Sequence, residues 1–128
     1  MSNVRQSLGK WGEGLAADYL TRRGYRILAR NVRTPYGELD LVAQVGSGED
    51  SELVFVEVKT RASYSLGPPE IAVDRRKQAH LIASAEHYRT LYEDLPAIWR
   101  IDVIAIRRTG AHTDPEIIHF ENAVTDLI

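Results

Sequence analysis

The chain has 128 residues and a mass of 14.4 kDa, with 44% apolar and 27% charged side chains. That size and balance fit one globular core and exclude a largely disordered or collagen-like chain. It contains no cysteine, which removes disulfides, thiolate nucleophiles and Cys-ligated zinc or iron–sulfur centres, so any metal must be held by carboxylates, carbonyls or histidines. The formal net charge of −2 argues against a wholesale polyanion binder, although residues 1–80 carry 12 Lys/Arg against 10 Asp/Glu and residues 81–128 carry 4 against 8. Thirteen of the sixteen basic residues are arginine, a weak pointer to phosphate, whose oxygens match the guanidinium fork.

In chain order, Leu8, Trp11, Gly12, Leu15, Ala16, Tyr19 and Leu20 recur at helical spacing and predict a helix over residues 7–23, stopped by Gly24. A first strand is expected over 25–32. The apolar runs 38–45 and 53–60, separated by Gly-Ser-Gly-Glu-Asp, predict a hairpin. Asp74 can cap a second helix reaching about Tyr92, with Gln78, Leu81, Ala85, Tyr88 and Tyr92 on one stripe. A near-continuous apolar strand follows over 98–106, then a short, weaker one over 116–120. Loops are expected at 34–37, 46–52, 65–69 and 109–115, none long enough to divide the chain. The expectation is one domain over residues 1–128, α/β in class, with the order α-β-β-β-α-β-β around a mixed sheet. No window approaches the ~18 apolar residues of a membrane span, and the N-terminus lacks a secretory apolar block. A cytoplasmic protein without membrane contact is expected.

Charges inside the two hairpin strands are the most informative feature. Asp40 interrupts Leu39-Asp40-Leu41-Val42-Ala43, and Glu57 and Lys59 share a face of Val54-Phe55-Val56-Glu57-Val58-Lys59. A hairpin centred on the Gly-Ser-Gly-Glu-Asp loop pairs residues summing to 97, which sets Asp40 opposite Glu57 and Glu38 opposite Lys59. At a separation of ~5 Å and an effective dielectric of ~20, two such carboxylates repel by about 3 kcal/mol. Two arrangements relieve this: a divalent cation among oxygen ligands, or a buried ion pair with Lys59. Glu13, beside Gly9, Ala16 and Leu20 on the first helix, either reaches the same cleft or is an ordinary helix-flank glutamate. Arg100 and Asp102 also interrupt an apolar strand. His80, His87, His112 and His119 show no metal-ligand spacing, and no GxSxG elbow supports Ser-His-Asp catalysis.

The segments GELDLVA (37–43) and VFVEVKTR (54–61) resemble the Asp and Glu-x-Lys signature of the restriction-endonuclease-like PD-(D/E)xK superfamily. More closely, the chain resembles the YraN-type family of small bacterial proteins, through GKWGEGLAADYL (9–20), Lys77-Gln78, Tyr88 and Arg100-Ile101-Asp102-Val103-Ile104. The motif's proline is replaced by Leu39. The resemblance implies an αβββαβ core flanked by helices, a relation to Holliday-junction resolvases and RecB-type nuclease domains, and a place for Glu13 in the acidic cluster. It suggests that Arg100 and Asp102 pair structurally or with the active-site wall.

The function expected is metal-dependent hydrolysis of nucleic-acid phosphodiesters, with DNA the foremost substrate and repair or recombination the setting. Asp40, Glu57, the Val58 carbonyl and Glu13 are the expected ligands of Mg²⁺ or Mn²⁺, and Lys59 completes the catalytic set. Arg61, Arg75, Arg76, Lys77 and Gln78 are expected phosphate contacts. The alternative is a non-catalytic nucleic-acid-binding domain that retains the nuclease fold. A homodimer stays open.

Overall fold

The computed structural model describes residues 4–61, 74–110 and 112–124. Helix α1 (Val4–Arg22) leads into strands β1 (Arg26–Thr34), β2 (Gly37–Val45) and β3 (Glu52–Arg61), helix α2 (Arg75–Leu91), and strands β4 (Ile98–Arg107) and β5 (Glu116–Val124). This is the expected order, and its first six elements give the αβββαβ succession that the resemblance implies. The five strands lie in sequence order in one sheet. Among the described strands only β3 and β4 run parallel, with α2 between them in sequence, and the other neighbours are antiparallel. The loop expected at residues 65–69 lies outside the described residues.

Local chemistry accounts for the ends of both helices. At the end of α1, Gly24 takes φ +90°, and the Gly24 and Tyr25 amides donate to the Thr21 and Leu20 carbonyls at 3.1 and 3.0 Å, a left-handed cap that glycine adopts without penalty. At the start of α2, the Asp74 carboxylate accepts from the Lys77 amide at 2.8 Å.

The sheet buries both faces, so its central strands are apolar on both sides. Ala16, Ala17 and Leu20 of α1 cover Leu41, Ala43, Val54, Val56, Ile104 and Ile106. Leu81, Ala85 and Tyr88 of α2 cover Leu39, Val42, Leu53, Phe55, Ile101 and Val103 on the other face. Strand β5 runs to Val124, four residues past the expected end. Its Asn122 has φ +51°, an irregularity that hid the continuation in the residue pattern.

Candidate metal centre

Glu13 enters the site because α1 packs closely against β3 at the Thr60 side chain. A β-carbon at Gly12 would collide with the Thr60 methyl group, so only glycine allows this approach. The next residue, Glu13, is thereby carried to the end of the sheet where β2 and β3 part.

The expected pairing sum of 97 holds for Leu41–Val45 against Glu52–Val56, but the ladder ends at Leu41–Val56. Asp40 and Glu57, and Glu38 and Lys59, are therefore not ladder partners. Leu39 and Leu41 belong to opposite cores, so the alternation of β2 breaks at Asp40. Its carboxylate instead takes up a backbone donor of β3 beyond the ladder: Oδ2 accepts from the Val58 amide at 2.8 Å. The two backbone groups of a strand residue leave on the same edge, so the Val58 carbonyl also faces the gap.

Carboxylate oxygens of Glu13, Glu38 and Asp40 lie within 4.8 Å of one another, close to the ~4 Å that separates oxygens on opposite sides of one Mg²⁺. Asn31, opposite Asp40 on β1, takes φ +52°. With its amide nitrogen turned inward it donates to Glu13 at 2.6 and 3.3 Å and to Glu38 at 3.2 Å. Glu57 approaches from the α2 face, where its Oε1 lies 3.6 Å from Lys77 Nζ. Its other oxygen, Oε2, is buried without a hydrogen-bond partner.

These surroundings disfavour negative charge. Burial, then the Glu57 charge, pushes the Asp40 carboxyl up to about 7; the Val58 amide opposes this, Glu13 adds to it and Lys77 opposes it. Burial also raises Glu57 against the opposing effects of Lys77 and Lys59, with Glu38 adding to the rise. A pair of desolvated carboxyls with one orphaned oxygen suits a divalent cation among oxygen ligands, so the donor set fits Mg²⁺ or Mn²⁺.

Of the residues expected from sequence, Glu13 and Asp40 meet directly, while Glu57 and Lys59 join them through electrostatic contact. Lys77, expected on phosphate, pairs with Glu57. Arg75 and Arg76 are exposed in the same first turn of α2, Gln78 is half-buried there, and Arg61 is half-buried at the end of β3. Sequence reasoning did not place Glu38 or Asn31 in the site. Glu38 could have been found from its position two residues before Asp40, whereas nothing local marks Asn31.

Arg100 and Asp102 form a second network on the α1 face, reaching toward Glu52 at the start of β3. Asp102 is 0% exposed. It accepts from Arg100 Nε at 3.0 and 3.3 Å and from the Asn122 amide at 2.8 Å, and lies 2.8 Å from His119 Nε2. Arg100 also reaches Glu52 and the Tyr25 hydroxyl, both at 2.8 Å. An open depression of about 640 Å³, lined by Tyr19, Arg23, Tyr25, Val45, His119 and Glu121, lies here. Among the described residues, no helix is long and apolar enough to cross a membrane.

Residues 12–106 match the model of "Uncharacterised protein family UPF0102". A UPF0102 protein of Syntrophotalea carbinolica is 47% identical over 126 residues, covering 96% of this chain and 95% of the relative. One of Geobacter metallireducens is 44% identical over 123 residues, covering 96% of each. Among solved structures, SfsA of Pyrococcus furiosus in complex with Ca²⁺ is similar at 19% identity and a TM-score of 0.40, over 95% of this chain and 65% of that one. This chain thus spans less than two thirds of SfsA, and at that TM-score the likeness has no bearing on the site.

Proposed function

The chain belongs to the UPF0102 family, and we propose that it is a metal-dependent nuclease that hydrolyses phosphodiester bonds, with DNA the foremost substrate. The observation that carries this reading is the convergence of the Glu13, Glu38 and Asp40 carboxylates within 4.8 Å of one another, with Glu57 near enough to add to the burial that raises the Asp40 carboxyl. A fold stabilised only by its own contacts gains nothing from that arrangement, whereas a divalent cation reverses the penalty by pairing with both charges.

Asp40 and Glu57 would hold the cation together with the Val58 carbonyl, and Glu13 and Glu38 would supply further oxygens. Bound there, Mg²⁺ or Mn²⁺ supplies Lewis-acid polarisation of the phosphate and lowers the pKa of a water. The chain's own groups do the rest. Lys59, beside Glu57, sets a positive charge against the charge that develops on the phosphate. Lys77 compensates Glu57 before the cation arrives, then becomes available to a phosphate oxygen. Arg61, Arg75, Arg76 and Gln78 extend the phosphate-binding surface around the first turn of α2.

The Lys77–Glu57 ion pair favours one second reading, a nucleic-acid-binding domain that cleaves nothing. Assays on linear, flapped and four-way-junction DNA and on RNA, with Mg²⁺, Mn²⁺, Ca²⁺ or EDTA, separate the two. The nuclease reading expects cleavage of at least one substrate with Mg²⁺ or Mn²⁺ and none in EDTA. Binding of equal affinity in EDTA with no cleavage under any condition would overturn it in favour of the binding domain.

A further inference from the structure

Asn31 occupies a position that its backbone conformation does not explain. It lies in β1 between the Arg30–Leu41 and Val32–Leu39 pairs, directly across from Asp40, with φ +52°. A left-handed residue inside a strand is strained for any side chain other than glycine, although asparagine tolerates it better than most. Glycine would satisfy the backbone alone, so the side chain needs its own reason.

The amide supplies one. Its two N–H groups reach Glu13, on the α1 layer, and Glu38, on β2. Those carboxylates and that of Asp40 crowd within 4.8 Å and repel one another. Glu38 is exposed, and without a tether its side chain would swing into solvent. One planar group with two donors can hold two carboxylates at once.

Resting on the metal-site reading above, we propose that Asn31 is a positioning residue whose amide clamps Glu13 and Glu38 beside Asp40, assembling the divalent-cation site before the cation arrives. The strain at φ +52° follows from aiming that amide inward. Pre-ordering the carboxylates removes a cost that binding would otherwise carry. Asn122, the other left-handed non-glycine among the described residues, offers a comparison: there the backbone amide serves a buried aspartate, Asp102.

The test is Mn²⁺ titration calorimetry on wild type, Asn31→Gly and Asn31→Asp, with thermal melts of each in EDTA and in Mn²⁺. Asn31→Gly keeps the backbone conformation and removes the clamp. Its Mn²⁺ affinity should fall by about tenfold, or ~1.4 kcal/mol, while its melting point in EDTA changes little. Asn31→Asp replaces the donors with a fourth carboxylate, so it should melt lower than wild type in EDTA and gain more from Mn²⁺ than wild type does. A double-mutant cycle of Asn31→Gly with Glu13→Ala in EDTA should be non-additive. Unchanged Mn²⁺ affinity in Asn31→Gly, or strict additivity in the cycle, overturns the role of Asn31 alone. Wild type that takes up no Mn²⁺ overturns the metal-site reading and the clamp together, and is recognised before any variant is compared.

Discussion

The Asp40 carboxylate accepts a 2.8 Å hydrogen bond from the backbone amide of Val58, two residues past the end of the β2–β3 ladder. That bond fixes a half-buried carboxylate in the fork between the strands, where burial, then Glu57 and Glu13, raise its pKa. On the proposed reading, function and stability are opposed at this residue, and the opposition is measurable.

The Asp40 carboxyl, at about 7 in the fold against an ordinary 3.8, leaves the folded protein binding more protons than the unfolded chain between those values. Stability should therefore fall as pH rises through that window and level off above it, by up to about 4 kcal/mol. The raised Glu57 carboxyl adds to the same slope. Asp40→Asn keeps an oxygen for the Val58 amide but loses the charge. Denaturant melts in EDTA should find it more stable than wild type by ~1–4 kcal/mol at pH 8 and no better at pH 4. A loss at pH 8 would mean that the cluster is a structural ion-pair network.

Asp102, which is fully buried, should behave in the opposite way. Burial alone would raise Asp102, but its bonds to His119, the Asn122 amide and Arg100 outweigh burial and hold it below the ordinary value. Its contribution is present above the unfolded pKa and is lost as pH falls through the folded one. Asp102→Asn should cost about 3 kcal/mol or more, because Arg100 is left buried and partly unpaired, yet leave Mn²⁺ affinity unchanged. A drop in Mn²⁺ affinity in a folded Asp102→Asn protein would link the two networks.

The fit of α1 against β3 makes a third expectation. Gly12→Ala forces a methyl into the Thr60 side chain and should destabilise by ~1–3 kcal/mol, weakening Mn²⁺ binding as Glu13 is displaced. Adding Thr60→Ala should recover most of both losses in calorimetry and melts. Failure of the second change to recover either would mean that α1 is positioned by other contacts.

Lys59 is assigned to the phosphate and not to the cation. Lys59→Ala should reduce cleavage by about 10²-fold or more, the scale of losing one electrostatic donor at a reacting centre, while Mn²⁺ affinity stays within about threefold of wild type. Parallel loss of both in single-turnover assays and calorimetry would assign Lys59 to holding the carboxylates instead.

Much of this architecture was legible in the residues. Helical spacing on α1, the Asp74 cap and the hairpin centre each depend on neighbours in sequence, and the pairing sum of 97 followed from the loop's midpoint. Where the ladder stops did not follow, because β2 continues through Asp40 while its pairing with β3 ends at Leu41, and no turn residue marks that parting. For the same reason Glu38 and Asn31 were missed: their meeting with Glu13 spans three elements, and φ at Asn31 leaves no trace in composition. Lys77 was legible as a cation at the start of α2, but its partner Glu57, twenty residues earlier, depends on how the helix crosses the sheet. Arg100, Asp102 and His119 were visible as charges in or near an apolar strand, whereas their closed network is set by β4–β5 pairing.

The most direct measurement is anomalous diffraction at the manganese edge from crystals soaked in Mn²⁺. The account predicts one strong peak in the fork between β2 and β3, bounded by Asp40 and at least two of Glu13, Glu38, Glu57 and the Val58 carbonyl, with metal–oxygen distances near 2.1–2.2 Å, slightly longer than the ~2.0–2.1 Å of Mg²⁺. Soaked crystals with no peak there, and with Lys77 still paired to Glu57, would contradict it.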